Sequence, residues 1–125
     1  MQTKKIIIDI DNTLTINNSS LNYKTKLPRL DVIERISIYR ELGYEIILHT
    51  ARNMKTYGGD ISKINKNTLP IIIEWLEKHN VEYDGLIVGK PWCGEGGFYV
   101  DDRAIRPEEF TSLTESQILK KLNNY

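Results

Sequence analysis

Lys4-Lys5-Ile6-Ile7-Ile8-Asp9-Ile10-Asp11-Asn12-Thr13 is the stretch that decides how this chain is read. Apolar residues at 6, 7, 8 and 10, closed by turn-forming residues, predict a buried strand over residues 4 to 10. Such a strand in a parallel sheet carries Asp9 and Asp11 to the carboxyl edge, where open α/β folds bind their ligands. Residues i and i+2 of a strand point the same way. The two carboxylates could therefore hold one hard cation such as Mg²⁺, or one could attack phosphorus while the other handles protons. The pair could also simply cap the turn that follows the strand.

Three further apolar runs end in the same style. Tyr44-Glu45-Ile46-Ile47-Leu48-His49 runs into Thr50-Ala51-Arg52-Asn53. Tyr83 to Val88 runs into Gly89-Lys90-Pro91, and Phe98-Tyr99-Val100 into Asp101-Asp102-Arg103. A hydroxyl donor, a cation and more carboxylate at strand ends are what phosphoryl transfer uses. Between the runs, Val32, Ile36, Tyr39 and Leu42 follow helical spacing from Asp31 to about Leu42, and Gly43 suits the stop. Residues 51 to 67 lack clear periodicity and read as a long loop. Thr68 is the expected N-cap of a helix with Pro70 in its first turn and Ile71, Ile72, Trp75 and Leu76 as its buried stripe. Thr114-Glu115-Ser116-Gln117 fits a capping box before a short final helix carrying Ile118, Leu119 and Leu122. Strands alternating with helices predict an α/β fold with a parallel, doubly wound sheet.

At 125 residues the chain reads as a single domain, 1 to 125, large enough to bury a core without disulfides. Its one cysteine, Cys93, can form no internal bridge. The lack of a 20-residue apolar stretch or a signal-peptide pattern predicts a cytoplasmic protein with no membrane partner. Seventeen basic residues balance seventeen acidic ones, with no basic block. That argues against a nucleic-acid groove and leaves a small anionic substrate compatible. His49 and His79 carry no ligand spacing, so structural zinc is not expected.

In their order, Asp9-Ile10-Asp11-Asn12-Thr13, Thr50, Lys90 and Asp101-Asp102 match four motifs, and the chain resembles the haloacid dehalogenase superfamily of Mg²⁺-dependent phosphatases from Ile6 to about Arg103. The resemblance implies a Rossmann-like sheet of order 3-2-1-4. It also implies Asp9 as the nucleophile forming an aspartyl-phosphate, Asp11 as general acid then base, Thr50 as hydrogen-bond donor and Lys90 as the neutralising cation. Mg²⁺ would be held by the Asp9 carboxylate, the main-chain carbonyl of Asp11 and an acid of the fourth motif. Asp102 is favoured as the direct ligand, with Asp101 orienting a metal-bound water or Lys90. Arg106 stands where a second acid often follows Asp102 by four residues, so the choice between the two stays open. Substrate contacts would come from Arg52, with Asn12, Asn53, Trp92 and Arg103. Each has a plainer role: a surface salt bridge for Arg52, a turn for Asn12, loop packing for Trp92.

Superfamily members often insert a cap domain between motifs. Here 38 residues separate Asp11 from Thr50 and 39 separate Thr50 from Lys90, with a crossover helix in each interval, so no separate cap is expected. Residues 12 to 29 would offer a flap, and residues 51 to 67 a substrate loop. An open site would admit a large substrate or be closed by another subunit in a homo-oligomer. Thr50 to Met54, Tyr57-Gly58-Gly59, Gly89 to Gly94 and Phe98 to Arg103 together resemble the capsule-biosynthesis phosphatases, which implies a bacterial enzyme acting on a sugar or polyol phosphate bound for surface polysaccharide. A phosphatase of nucleotides or polynucleotide ends is an alternative, as is a non-catalytic Mg²⁺-binding regulatory or adaptor protein. Receiver domains share this inventory, but they end the third strand in an aspartate where this chain has Val88-Gly89-Lys90.

Overall fold

The apolar run after Lys4 forms β1, Lys5–Asp9. In the computed structural model, which describes residues 4–123, it is followed by α1 (Leu30–Glu41), β2 (Glu45–Thr50), α2 (Ile61–Asn67), α3 (Leu69–Lys78) and β3 (Gly85–Val88). These belong to a first compact unit that ends at Trp92; a second begins at Cys93 and contains α4 (Pro107–Ser112) and α5 (Glu115–Leu122).

The three strands form one parallel sheet in the order β1-β2-β3. Ile8 lies opposite Leu48, which lies opposite Leu86, while Asp9 lies opposite His49, which lies opposite Ile87. Parallel neighbours in register share a face, so this pairing sorts the strands into two faces. One carries Ile8, Ile46, Leu48 and Thr50, all buried. With them in the core are Val32, Ile36 and Tyr39 of α1, Ile64 of α2, and Ile72, Trp75 and Leu76 of α3. Burying side chains of this size stabilises by about 1.5–3 kcal/mol each. The expectation of a strand buried on both faces is corrected at Ile7, which is 56% exposed, as Ile87 is at 50%. Those two side chains occupy the other face, which is half open.

α1 starts where Asp31 accepts from its neighbour's N–H, Val32 N to Oδ1 at 2.9 Å, with its charge in the first turn. It stops at Gly43, whose φ of +96° only glycine adopts cheaply. α3 has Pro70 in its first turn and buries Ile72, Trp75 and Leu76, as the periodicity predicts. Thr68 makes no side-chain cap there. Residues 61 to 67 are helical rather than loop: Asp60 caps α2, accepting from Lys63 N, and Ile64 is its buried residue. One buried side chain in seven positions gives no period to read, which is why the helix was invisible in the pattern.

The second unit has the capping box at Thr114, whose hydroxyl accepts from Gln117 N while Gln117 accepts from Thr114 N. α4 was not anticipated. Pro107 in its first turn and Glu109 accepting from Arg106 N at 2.9 Å are its start signals. Phe98-Tyr99-Val100, expected as a fourth strand, carries no strand assignment, and Phe98 and Val100 are exposed.

Candidate active site

β1 ends at Asp9, so Asp11 belongs to the turn beyond it. That turn is tight. The Ile10 carbonyl accepts from the N–H groups of Thr13, Leu14 and Thr15, Asn12 takes φ +62°, and Asn12 N donates to Thr15 Oγ1 at 2.9 Å. Asn tolerates this left-handed backbone better than other side chains do. Thr13 Oγ1 donates back to Asp9 Oδ2 at 3.3 Å, which ties the turn to the end of β1.

Asp9 also faces Lys90, with Nζ 3.8 Å from Oδ1. Burial pushes the Asp9 carboxyl above its ordinary range; Lys90 opposes that, and the Asp11 charge reinforces it. Lys90 is delivered by the turn after β3, where its N–H donates to the Thr50 carbonyl at 3.1 Å. Gly89 makes that turn at φ +90°, and a Cβ there would stand 2.8 Å from Ile61 Cδ1. Thr50, at the end of β2, is fully buried, and its Oγ1 accepts from Arg52 N at 3.0 Å. That acceptance leaves its hydroxyl proton to be given elsewhere.

Asp11 has a partner set of its own. Arg52 Nη2 donates to Oδ1 at 2.8 Å and Nε to Oδ2 at 3.2 Å, a bidentate fork across 41 positions of sequence. Arg52 is 4% exposed, so this is a buried clamp and not the surface salt bridge its sequence allowed. Its third nitrogen, Nη1, is buried and has no hydrogen-bond partner among the described residues. The ring of Tyr23 lies over the guanidinium, 4.1 Å from Cζ to centroid. Tyr23 comes from residues 15 to 28, a hairpin-like excursion closed by Ile16 N to Leu27 O at 2.8 Å and Arg29 N to Leu14 O at 2.7 Å. Trp75 Nε1 ties it to α3 through the Lys26 carbonyl.

Sequence reasoning passed over two residues here. Tyr23 sits in a polar stretch with nothing to mark it. His49 is the penultimate residue of β2 and lies in register with Asp9; its pKa is lowered by burial and then by Lys90, with Asp9 opposing. A histidine one residue before Thr50 was the available signal. Asn53 spends its amide inside the loop, accepting from Thr68 Oγ1 at 2.7 Å and donating to Thr56 Oγ1 at 3.2 Å. Trp92 is half exposed. Asp101, Asp102 and Arg103 are exposed in the second unit, where Arg103 N donates to Asp101 Oδ1 at 2.8 Å.

The first unit offers oxygen donors suited to Mg²⁺. Asp9 presents a half-buried carboxylate whose ionised form burial opposes. The Asp11 side chain is spent on Arg52, while its main-chain carbonyl accepts no hydrogen bond among the described residues. Mg²⁺ takes few protein oxygens and keeps several waters, so a carboxylate and a carbonyl fit as part of its shell. No group of three or more His, Cys, Asp or Glu residues gathers as a metal site among the described residues.

No protein-family model matches the chain, and no curated protein does. Two matches are to chains of the Pnkp1/Rnl/Hen1 complex, one of them described as an RNA repair complex, at 21% identity and TM-scores of 0.51 and 0.52. They cover 89% and 90% of this chain but 35% and 33% of their own, so the chain spans about a third of their length, and the likeness is one of fold. A crystallised target protein from Vibrio cholerae matches at 56% identity and a TM-score of 0.94, over 98% of both chains. At that identity over nearly the whole of each chain, the protein belongs to one family with the Vibrio cholerae protein.

Proposed function

We propose that the protein is a Mg²⁺-dependent phosphomonoester hydrolase that works through an aspartyl-phosphate, with a sugar or polyol phosphate as substrate. The observation that carries this reading is the carboxyl edge of the sheet. There a half-buried Asp9 faces Lys90 across 3.8 Å, with buried Thr50 at the end of the neighbouring strand and Asp11 in the turn beyond. The reading brings with it the haloacid dehalogenase order 3-2-1-4, of which the first unit supports 3-2-1.

In the first step an Asp9 carboxylate oxygen attacks phosphorus, the ester P–O bond breaks, and the leaving alkoxide takes a proton from Asp11. Lys90 balances the phosphoryl oxygens and the Thr50 hydroxyl donates to one of them, so charge is met by groups already in place. In the second step Asp11 takes a proton from water, the water oxygen attacks phosphorus, and the bond to Asp9 breaks to give inorganic phosphate. Both roles require the Arg52 fork to open at one oxygen, so that Asp11 enters the first step carrying the proton it gives and can take one from water in the second; the longer bond, Nε to Oδ2, is the one to yield. Bound Mg²⁺ would neutralise the phosphate and polarise its oxygens, held in this unit by the Asp9 carboxylate and the Asp11 carbonyl. Asp101 and Asp102 are the candidates for its remaining protein carboxylate on sequence grounds.

A second reading, a phosphatase of polynucleotide ends, is raised by the fold shared with a chain of an RNA repair complex. Zero net charge without a basic block weighs against it. The test is Mg²⁺-dependent phosphate release from sugar, polyol and nucleoside monophosphates and a 3′-phosphorylated oligonucleotide. Release from the sugar or polyol esters, lost with chelator, supports the first reading. Release from the oligonucleotide alone supports the second, and silence across the panel overturns both in favour of a Mg²⁺-binding regulator.

A further inference from the structure

Arg52 is built as though a third acceptor were missing. Nε and Nη2 are taken by Asp11, while Nη1 is buried with no partner among the described residues, and a buried charged donor left unsatisfied is costly. The Cζ of the same guanidinium lies over the ring of Tyr23, 4.1 Å from its centroid, and Tyr23, 39% exposed, stands at the tip of the hairpin-like excursion. An Asx turn presents it: Asn22 Oδ1 accepts from Lys24 N at 2.9 Å and from Thr25 N at 3.1 Å. The base of that excursion is anchored by main-chain bonds at Ile16 and Arg29 and by the Trp75 indole. The tip is held largely by turns within itself. Burial, with Asp11 adding and Arg52 opposing, raises the Tyr23 phenol, consistent with a ring set against both charges.

We propose that Tyr23 is a gate over an anion-receiving corner formed by Arg52 Nη1, and that outward movement of this ring lets a phosphate oxygen reach the guanidinium. The proposal deepens the phosphatase reading and rests on it for the ligand, a phosphomonoester or phosphate dianion. It makes Tyr23 a substrate-positioning residue. Closed, the ring sits against the guanidinium whose fork holds Asp11. Open, Nη1 gains the acceptor it lacks.

The test needs no turnover. The intact protein is labelled with phenylglyoxal and each arginine is followed by mass spectrometry, with and without inorganic phosphate, in the native chain, Tyr23→Phe and Tyr23→Ala. In the native chain Arg52 should react far more slowly than exposed Arg106. Tyr23→Ala should speed Arg52 by roughly two- to fivefold, the range a cation–π contact supports, and phosphate should suppress that gain. Tyr23→Phe keeps the ring face and should behave as native, and unchanged Arg40 labelling marks an intact fold. Arg52 labelling that ignores Tyr23→Ala, or that phosphate does not slow, overturns the gate. Absence of phosphate release from the native protein would count against the phosphatase reading alone, and this labelling would still decide the gate.

Discussion

Arg40 and Arg52 each join distant parts of the first unit, at opposite ends of one sheet, and their surroundings differ in kind. At the amino end, Arg40 Nη1 donates to Glu82 at 2.7 Å and Nη2 to Asp84 at 2.9 Å. Ser37 donates to the other Glu82 oxygen and Ile46 N to the other Asp84 oxygen, so all four carboxylate oxygens are bonded. Arg40 holds both carboxyls below their usual range. At the carboxyl end, Arg52 is buried with Nη1 unmet among the described residues, and burial drives Asp9 the other way. The solvated cluster is finished; the buried one is not. Proteins leave such polar deficits where a ligand will complete them, and keep their structural pairs satisfied.

If that contrast is functional, the largest effect of substitution falls at the carboxyl end. Lys90→Met should lower kcat/KM for phosphate release by about 10²-fold or more, since it removes charge from the developing phosphoryl oxygens; steady-state kinetics on the best substrate reads it. Arg52→Lys should come next. Lysine cannot make the two-point fork to Asp11, so a loss of roughly tenfold or more in kcat/KM is expected, together with a clear fall in melting temperature because a buried pair is left partly unmet.

Arg40→Ala sharpens the comparison from the other end. Its partners are solvated, so thermal melting should fall by about 3 °C or less, with turnover unchanged. A drop in turnover would break the division of labour. The smallest expected effect is in acid. Glu82 and Asp84 have lowered folded pKa values, so their contribution is complete above the unfolded carboxylate value of about 4 and is lost as pH falls through the folded ones. Asp9 is raised, so it costs stability above its folded pKa, and that cost disappears as pH falls through it. In metal-free buffer, circular dichroism against pH should therefore show Arg40→Ala unfolding at slightly higher pH than the native chain, and Asp9→Asn showing no such upward shift.

Local signals carried far into this fold. The apolar runs at 6–10 and 44–49 gave two strands because several adjacent residues agree. Val32, Ile36 and Tyr39, and likewise Ile72, Trp75 and Leu76, gave α1 and α3 because a full stripe is buried. α2 escaped because Ile64 alone is buried, although Asp60 offered a capping signal. Ile7 misled because a run of isoleucines reads the same whether one face or both are covered. At the site, Asp9, Thr50 and Lys90 were legible as residues at or just beyond strand ends. The pairing of Asp11 with Arg52 and the Tyr23 stack were not, because each joins residues far apart whose types carry no mark of one another.

The most direct measurement is Mg²⁺-dependent phosphate release by the native protein and by Asp9→Asn, with the melting temperature of both recorded in the same buffer. Release by the native protein alone is expected, with Asp9→Asn melting at the same temperature or higher because a half-buried, under-compensated charge has gone. Release that survives in Asp9→Asn, or a variant that melts well below the native protein, would mean that Asp9 is not the nucleophile but a structural member of the sheet edge.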